Sequence, residues 1–356
     1  MKQKLYSLFL IAVLGMMGMT VWAQGLTTTV KDGVTYYEIG NADQLLAFAQ
    51  LVNGDPDNGI DGQSDANALL TADINMAEVL WEAAIGTEAS PFTGIFDGQG
   101  HNITAFEATS VGRGGLIGAA SDATIKNFSI DGSLEVTAGE GSGVIGLASG
   151  SEPAKGCRIT NVHSSLDITV SEAGCSHVGG VVGSAAYNND IRNCTFSGTM
   201  SVVEGNHNCF GGIAGYMASD SILYCANYGE ISFATTNAYC GGITGYMNNI
   251  EGTVKGCLNM GTITFTGEGN ADYGGAIIGR MRNHTPSQIS NNCWLEGTGK
   301  TGTGENSVPT TRSINMDELS SGEICYYLNG NQEEIGWYQT LPADQQPTLD
   351  ATHAQV

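Results

Sequence analysis

A repeated unit of about 32 residues constrains the fold of this chain more than any other feature of its sequence. The unit recurs five times between Ile125 and Gly279, and its copies end in Gly-Gly-hydrophobic-x-Gly or a close variant. The first residues of the copies, which we call openers, are Ile125, Ile159, Ile191, Ile222 and Val254. Such regular spacing indicates one structural coil per copy.

Within each copy, the apolar residues follow the period of a β-strand. Counted from the opener, positions 0, +3, +9 and +11 are apolar or Cys, whereas position +10 is Ser, Thr or Glu. Alternation of this kind predicts a half-buried strand rather than a helix. The glycine-rich block supplies a further strand, which the chain enters through a tight corner.

Three short strands per copy without a helical period predict an all-β fold, a parallel β-helix with three strands per coil and small helical caps. A propeller blade needs four strands over a longer repeat, and a leucine-rich repeat needs its own consensus. In a β-helix, equivalent positions stack about 4.8 Å apart. The predicted columns are Cys194, Cys225 and Cys257 at +3, Asn127, Asn161 and Asn193 at +2, Asn227 and Asn259 at +5, and Met217, Met247 and Met281 after the final glycines.

The glycine blocks resemble those of bacterial secreted proteins that carry GLUG repeats. The segment Gly115–Gly118 reads Gly-Leu-Ile-Gly, and the lead-in segments 81–86 and 92–103 also resemble this family. The resemblance covers roughly residues 35 to 300. It implies a right-handed parallel β-helix in an exported protein that is often surface-associated or adhesin-like and is sometimes joined to a peptidase. The HExxH pattern of zinc peptidases does not occur in this sequence.

The N-terminus and the overall charge predict where the protein acts. Residues 1–23 have a basic start, an apolar run and a small residue at the end, which is the pattern of a Sec secretory signal. The mature chain offers no second apolar stretch for a membrane span. A formal net charge of −23 argues against nucleic acid or anionic lipid as a partner. We expect an extracellular or cell-surface location, and the periplasm stays open.

The predicted β-helix needs a cap at each end, because its terminal coils expose unpaired backbone. We assign residues 1–23 to the signal peptide, 24–75 to an N-terminal cap, 76–300 to the β-helix and 301–356 to a linker and C-terminal cap. Asn41 to Asn53 has the capping residues and apolar period of a helix. For the C-terminal part, a plug over the final coil and a separate binding module are the two interpretations.

Nine cysteines in an exported chain would ordinarily indicate disulfides. Cys194, Cys225, Cys257 and Cys293, however, occupy places where the coil needs an apolar residue. We therefore expect a column of reduced, buried thiols, and bridging of one pair is the alternative. Three further cysteines precede the Gly-Gly corners and could pair if their loops meet, namely Cys175, Cys209 and Cys240.

Catalytic residues are not expected, although many β-helices degrade polysaccharides. Asp167 and Glu230 both take the outward position +8 and would stand two coils apart, about 9.6 Å, near the upper limit for an inverting acid–base pair. No further acidic residue clusters with them, and their strand faces carry Ser and Thr. Solvated strand residues are therefore the favoured interpretation.

Two features could bind ligands. Tyr216 and Tyr246 follow the glycines of adjacent coils and could form an aromatic platform for a sugar, with structural stacking as the alternative. Asp55, Asp57 and Asp61 alternate in a way that suits Ca²⁺, although the glycine and glutamate of an EF-hand loop are missing. The alternative is a polar loop. No other cofactor is expected.

Together these features predict an exported, non-enzymatic, adhesin-like protein that binds an extracellular glycan or protein. We expect it to be a monomer. A polysaccharide lyase or glycosidase and a purely structural spacer are the alternatives.

Overall fold

The protein forms a β-solenoid of about seven turns, built mostly from parallel strands. A computed structural model describes residues 25–55, 58–152, 155–171, 175–203, 209–234, 238–248, 251–267, 274–282, 288–298, 311–330, 332 and 334–356. The predicted parallel β-helix is therefore confirmed. The predicted signal peptide, residues 1–23, lies outside the described residues.

The N-terminal cap consists of a hairpin and a helix. Strands Thr27–Lys31 and Val34–Ile39 pair antiparallel, and helix α1 (Ala42–Asn53) follows them. The Asn41 side chain caps this helix by accepting a hydrogen bond from the backbone of Gln44 at 3.0 Å. Leu45, Phe48 and Val52 are buried on one face, so the predicted cap helix is confirmed.

The hairpin begins a wide sheet that supplies the openers and the strands after them. Its parallel strands after the hairpin are Ala68–Leu70, Ile74–Asn75, Ile95–Val111, Thr124–Ala138, Arg158–Val170, Asp190–Arg192, Thr195–Phe196, Thr199–Val202, Ser221–Leu223, Ala226–Asn227, Glu230–Phe233, Thr253–Lys255, Leu258–Asn259, Ile263–Phe265, Ile289–Ser290, Asn292–Leu295 and Thr311–Ile314. The five openers stack in register, and Ile289 follows them as the opener of a sixth coil. We number the coils 1 to 6 from Ile125.

The glycine blocks build the remaining two faces. One sheet contains the strands that enter the glycines: His177–Gly179, Cys209–Gly211, Tyr239–Gly241 and Gly274–Gly275. The other contains the strands that leave them: Ile117–Ser121, Ile145–Ser149, Val182–Ala186, Ala214–Ala218, Thr244–Met247 and Ile278–Met281. Met217, Met247 and Met281 stack in register and are buried, as predicted.

The asparagine columns form as predicted at two corners. Asn127, Asn161 and Asn193 at +2 have φ of 62°, 54° and 52°, a left-handed conformation that asparagine tolerates better than most residues. At +5, Asn227 donates to Asn259 at 2.8 Å inside the solenoid. Asparagine therefore repeats at the +2 corner over coils 1 to 3 and at the +5 corner over coils 4 and 5.

The interior cysteine column is confirmed for three of the four predicted members. Cys194, Cys225 and Cys257 are free and fully buried at +3, and burial raises the pKa of Cys194 and Cys225 well above its usual value. Cys293 is also buried, but it pairs in register with Leu258 at +4. Asn292 occupies +3 instead, and its side chain accepts a hydrogen bond from the Cys257 backbone at 2.9 Å.

The C-terminal module, residues 311–356, extends the last coil and then turns onto its side. Strand Thr311–Ile314 pairs with Asn292–Leu295, and helices α2 (Met316–Leu319) and α3 (Glu323–Leu328) follow. A second apolar core, separate from the interior of the solenoid, lies between this module and coils 4 to 6. From the coils it includes the outward-facing residues Leu223, Tyr224, Ala226, Leu258 and Cys293. The predicted plug therefore covers the side of coils 4 to 6 as well as adding a rung at the end.

Candidate binding groove

The predicted aromatic pair lies on the sheet that leaves the glycines. Tyr216 and Tyr246 are register partners with ring centroids 5.7 Å apart and an interplanar angle of 69°. Asn248 joins their hydroxyls, because it accepts from Tyr246 at 2.9 Å and donates to Tyr216 at 2.8 Å. The two rings are therefore fixed relative to each other.

Protein groups occupy much of the ring surface that a sugar would need. The His177 ring stacks on Tyr216 with centroids 4.6 Å apart, and Tyr239 lies 5.3 Å from Tyr246. Arg280 follows, 5.6 Å from the centroid of Tyr246. Burial lowers the pKa of His177 to about 4, so its ring packs in the neutral form at neutral pH. This geometry favours the structural-stacking alternative.

Of the aspartates predicted to bind calcium, the structure describes Asp55 and Asp61. The Asp55 carboxylate accepts from the Asn58 side chain at 2.7 Å, and the backbones of Asp55 and Ile60 bond to each other. Asp61 is exposed, and Asp57 lies outside the described residues. Within the described ranges, no group of three or more His, Cys, Asp or Glu side chains is arranged to hold a metal ion.

The two carboxylates considered for catalysis project from an open strand face. Asp167 and Glu230 are exposed and flank Thr199, which pairs in register with Glu230. The Thr199 hydroxyl donates to Asp167 at 2.7 Å. The structure thus places the pair two rungs apart on an exposed strand face, as the repeat predicted.

A long polar groove crosses the outer corner of coils 1 to 3. Its volume is about 1030 Å³. We call it the asparagine groove and define its floor by two polar side chains from each of three coils: Asn127 and Ser129, Asn161 and His163, Asn193 and Thr195. These residues take positions +2 and +4, so the groove follows the stacking direction of the coils.

Both terminal parts of the chain supply walls. Lys31 from the N-terminal hairpin lines one end and donates to Gln99 at 2.9 Å. Tyr338 and the segment 348–351 of the C-terminal module line another side, where the backbones of Tyr338 and Thr348 exchange hydrogen bonds at 2.8 and 2.9 Å. The groove therefore requires the folded C-terminal module.

The amides of the floor are linked to an ion pair whose carboxylate is buried. Asn161 donates to Asn127 at 3.1 Å, Asn127 donates to Asp97 at 3.1 Å, and Lys126 lies 3.3 Å from the same carboxylate. Burial raises the pKa of Asp97, but hydrogen bonds from Gln99 and Asn127 and the charge of Lys126 outweigh it, so the net pKa is below the usual value. The carboxylate is therefore ionised and already paired.

Two floor residues keep hydrogen-bonding capacity. The side-chain oxygen of Asn193 is buried without a hydrogen-bond partner among the described residues. The His163 ring bonds to the Thr195 hydroxyl at 3.0 Å, and burial lowers the pKa of His163, so the ring is neutral at neutral pH. The floor thus offers amide, hydroxyl and neutral imidazole groups in a chain of net charge −23.

The asparagine groove was missed in the sequence analysis, although half of its signal was present there. The column at +2 predicts a ladder of asparagine side chains, and the polar series Ser129, His163 and Thr195 lies two residues further along each coil, at +4. Reading both columns together would have located the floor. The wall from Tyr338 and Thr348 carries no repeat pattern and could not be aligned with the coils.

Comparisons with known proteins agree with the repeat architecture. The GLUG motif is matched over residues 174–203, and this match together with the solenoid architecture fits a GLUG-repeat β-helix protein. A solved structure from Bacteroides ovatus, described as a putative immunoglobulin A1 protease, is similar with a TM-score of 0.62 and 20% identity over 89% of this chain and 93% of that one. At this identity the likeness shows the fold alone. No curated protein matches the chain.

Proposed function

We propose that this protein is an exported, non-enzymatic, adhesin-like recognition protein that binds a glycan or protein ligand in the asparagine groove. The groove carries the proposal, because it combines a volume of about 1030 Å³ with amide, hydroxyl and imidazole groups from three successive coils. Ligand sites are typically concave and use a few well-placed polar groups for specificity. The rigid solenoid holds these groups in fixed register.

The arrangement of carboxylates supports binding rather than catalysis. Hydrolysis of a glycosidic bond ordinarily uses two carboxyl groups on either side of the bond. In the asparagine groove, the ionised Asp97 is engaged by Lys126 and Asn127. Polysaccharide cleavage at Asp167 and Glu230 is the second candidate function, because their register places them about 9.6 Å apart.

Arrays of glycans and of extracellular proteins test both functions when retention and product formation are measured on the same samples. Ser129→Trp fills the groove floor, and Ser133→Trp adds the same bulk to an exposed position of the same strand as a matched control. We expect ligand retention to fall at least tenfold in Ser129→Trp and to stay unchanged in Ser133→Trp.

The same experiment identifies the opposite outcome. New reducing or unsaturated ends that disappear in Asp167→Ala or Glu230→Ala would replace the binding proposal with an enzymatic one. Retention that is equal in the two Trp variants would show that the ligand does not use the groove. Proteins belong on the array because the similar solved structure is described as a putative protease of immunoglobulin A1.

A further inference from the structure

We infer that the asparagine groove binds a neutral oligosaccharide, which lies along the stacking direction with about one sugar unit per coil. This inference rests on the proposed function and specifies its ligand. It depends on three properties of the floor: its repeat distance, its hydrogen-bonding character and its charge.

The repeat distance of the floor groups does not match that of an extended peptide. Equivalent floor groups recur at the strand spacing of about 4.8 Å, whereas an extended peptide advances about 3.3 Å per residue. Backbone groups of the strands bond to the neighbouring coils, as in the pairing of Ser129 with His163 and of His163 with Thr195. The side chains of an extended peptide would therefore not fall in step with the floor groups, and its backbone would find no unpaired strand edge on this floor.

The hydrogen-bonding groups favour a ligand that both donates and accepts. Asn193 presents a buried oxygen that lacks a donor among the described residues. That oxygen has almost no accessible surface, so the groups within reach of a ligand are the half-buried side chains of Ser129, His163 and Thr195, whose hydroxyl and neutral imidazole groups can donate or accept. A sugar hydroxyl can both donate to and accept from such groups, whereas an ionised carboxylate, sulfate or phosphate group can only accept.

The charges around the floor also favour a neutral ligand. Asp97 lies beneath the amide chain, and Asp350 lies in the wall from the C-terminal module. Lys126 is paired with Asp97, Lys31 lies at one end of the groove and donates to Gln99, and the neutral His163 adds no positive charge. An anionic polymer would approach a chain of net charge −23 without a free cluster of cations on the floor to receive it.

Aromatic rings stand beside these polar groups. Tyr228 and Tyr338 line the groove and are half-buried, and burial raises the pKa of Tyr228 to about 12, so its hydroxyl stays protonated. Rings of this kind offer an apolar body and a polar end. They can therefore contact the C–H face of a sugar while the floor binds its hydroxyls.

Calorimetric titration with linear neutral oligosaccharides of one to five units, in several sugar compositions, tests the inference. We expect affinity to rise about tenfold or more from one unit to three and then to level off, because the floor spans three coils. Uronic acid oligomers of equal length should bind at least tenfold more weakly. Extended peptides provide the third series.

A glycine substitution removes one floor amide while keeping the corner. Asn161→Gly deletes the side chain at a left-handed position, and Gly256 takes the equivalent position in coil 5 with φ of 65°. We expect affinity to fall about tenfold, or about 1.4 kcal/mol. Asn188→Gly is the matched control, because Asn188 has a φ of 63° at a corner outside this groove. The affinity of this variant for the oligosaccharide should equal that of the unchanged protein.

Each contrary result has a separate meaning. Preferential binding of uronic acid oligomers or peptides, abolished by Ser129→Trp, would overturn the neutral-sugar inference and leave the proposed function intact. Sugar binding that is equally strong in Asn161→Gly, or that does not depend on length, would also overturn it. If no ligand of any class is retained in the groove, the proposed function fails as well.

Discussion

The outer corners of coils 1–3 and coils 4–6 occupy equivalent positions of the repeat but have opposite chemistry. At +4, coils 1 to 3 carry Ser129, His163 and Thr195, whereas coils 4 to 6 carry Ala226, Leu258 and Cys293. The polar half forms the floor of the asparagine groove, and the C-terminal module covers the apolar half. Because the interior of every coil is mostly apolar, the outward positions decide what each part of the solenoid contacts.

Burial of apolar surface accounts for the position of the C-terminal module. Leu258 and Cys293 are fully buried beneath it although they point away from the solenoid interior. At the boundary between the halves, Arg192 of coil 3 forms an ion pair with Glu334 of the module at 2.9 Å. Such exposed pairs contribute about 0–1 kcal/mol, so the apolar contacts supply most of the attachment.

The largest expected effect follows from removing the main anchor of this cover. Trp337 is fully buried, and its indole nitrogen donates to the Gly256 carbonyl at 2.7 Å. We expect Trp337→Ala to lower the free energy of unfolding by about 3–5 kcal/mol in urea titrations and to make residues 311–356 sensitive to protease. The control is Tyr326→Ala, because Tyr326 lies on the same module and is 42% exposed. This variant should change the free energy of unfolding by less than about 0.5 kcal/mol. Equal effects would show that the module is not held by this core.

A second prediction compares the same position in the two halves. Leu258→Ala should cost about 2–5 kcal/mol of unfolding free energy, because it leaves a cavity beneath the module. Thr195→Ala should cost about 1 kcal/mol, because it removes only the hydrogen bond to His163 on the open floor. Chemical denaturation of both variants measures the difference. Similar costs at the two positions would contradict the division of the solenoid into an open and a covered half.

The interior of this fold was predictable because stacking forces equivalent positions to share a chemical environment. Met217 and Met247, and likewise Asn227 and Asn259, pair in the register that the repeat indicated. The exception is Cys293, which lies at +4 because Asn292 takes the interior position of the last coil. At position +3 of this last coil, the Asn292 side chain accepts a hydrogen bond from the Cys257 backbone, so a polar residue takes the place of the expected apolar one.

The exterior was predictable only in part, because it depends on segments without a repeat. The polar floor could have been found by reading positions +2 and +4 together, as Asn161 and His163 illustrate. The packing of the C-terminal module on coils 4 to 6 could not have been found in this way, because Trp337 contacts Gly256 from a distant part of the chain that carries no repeat. For Tyr216 and Tyr246 the repeat predicted their adjacency, but not that His177 would stack on one of the rings.

The third prediction concerns a buried acid at the junction of the two halves. Asp220 lies two residues before the coil 4 opener Ile222 and is 1% exposed. It accepts hydrogen bonds at 2.9 and 2.8 Å from the backbone and side chain of Asn189, which precedes the coil 3 opener in the same way. The Ala218 backbone donates to it at 2.7 Å. Burial nevertheless outweighs these bonds and raises the pKa of Asp220 to about 6.

This shift makes the stability of the protein depend on pH in a defined direction. Between the unfolded pKa of about 4 and the folded pKa of about 6, the folded chain holds more protons at Asp220 than the unfolded chain does. Its contribution to stability therefore falls as pH rises through this window and is constant above it, for a total loss on the order of 3 kcal/mol. Asp220→Asn cannot ionise, so the variant should become more stable relative to the unchanged protein between pH 4 and 7, even if the altered hydrogen bonds make it less stable at pH 4.

Urea unfolding of both proteins across this range, at constant ionic strength, measures the relative change. Leu258→Ala is the control, because it is destabilised without losing an ionisable group, so its curve should run parallel to that of the unchanged protein. A parallel curve for Asp220→Asn as well would mean that the carboxylate keeps enough solvent or hydrogen bonding to ionise normally. The contact between coils 3 and 4 would then be more open than the burial of Asp220 indicates, and the boundary between the two halves would be less sharply defined.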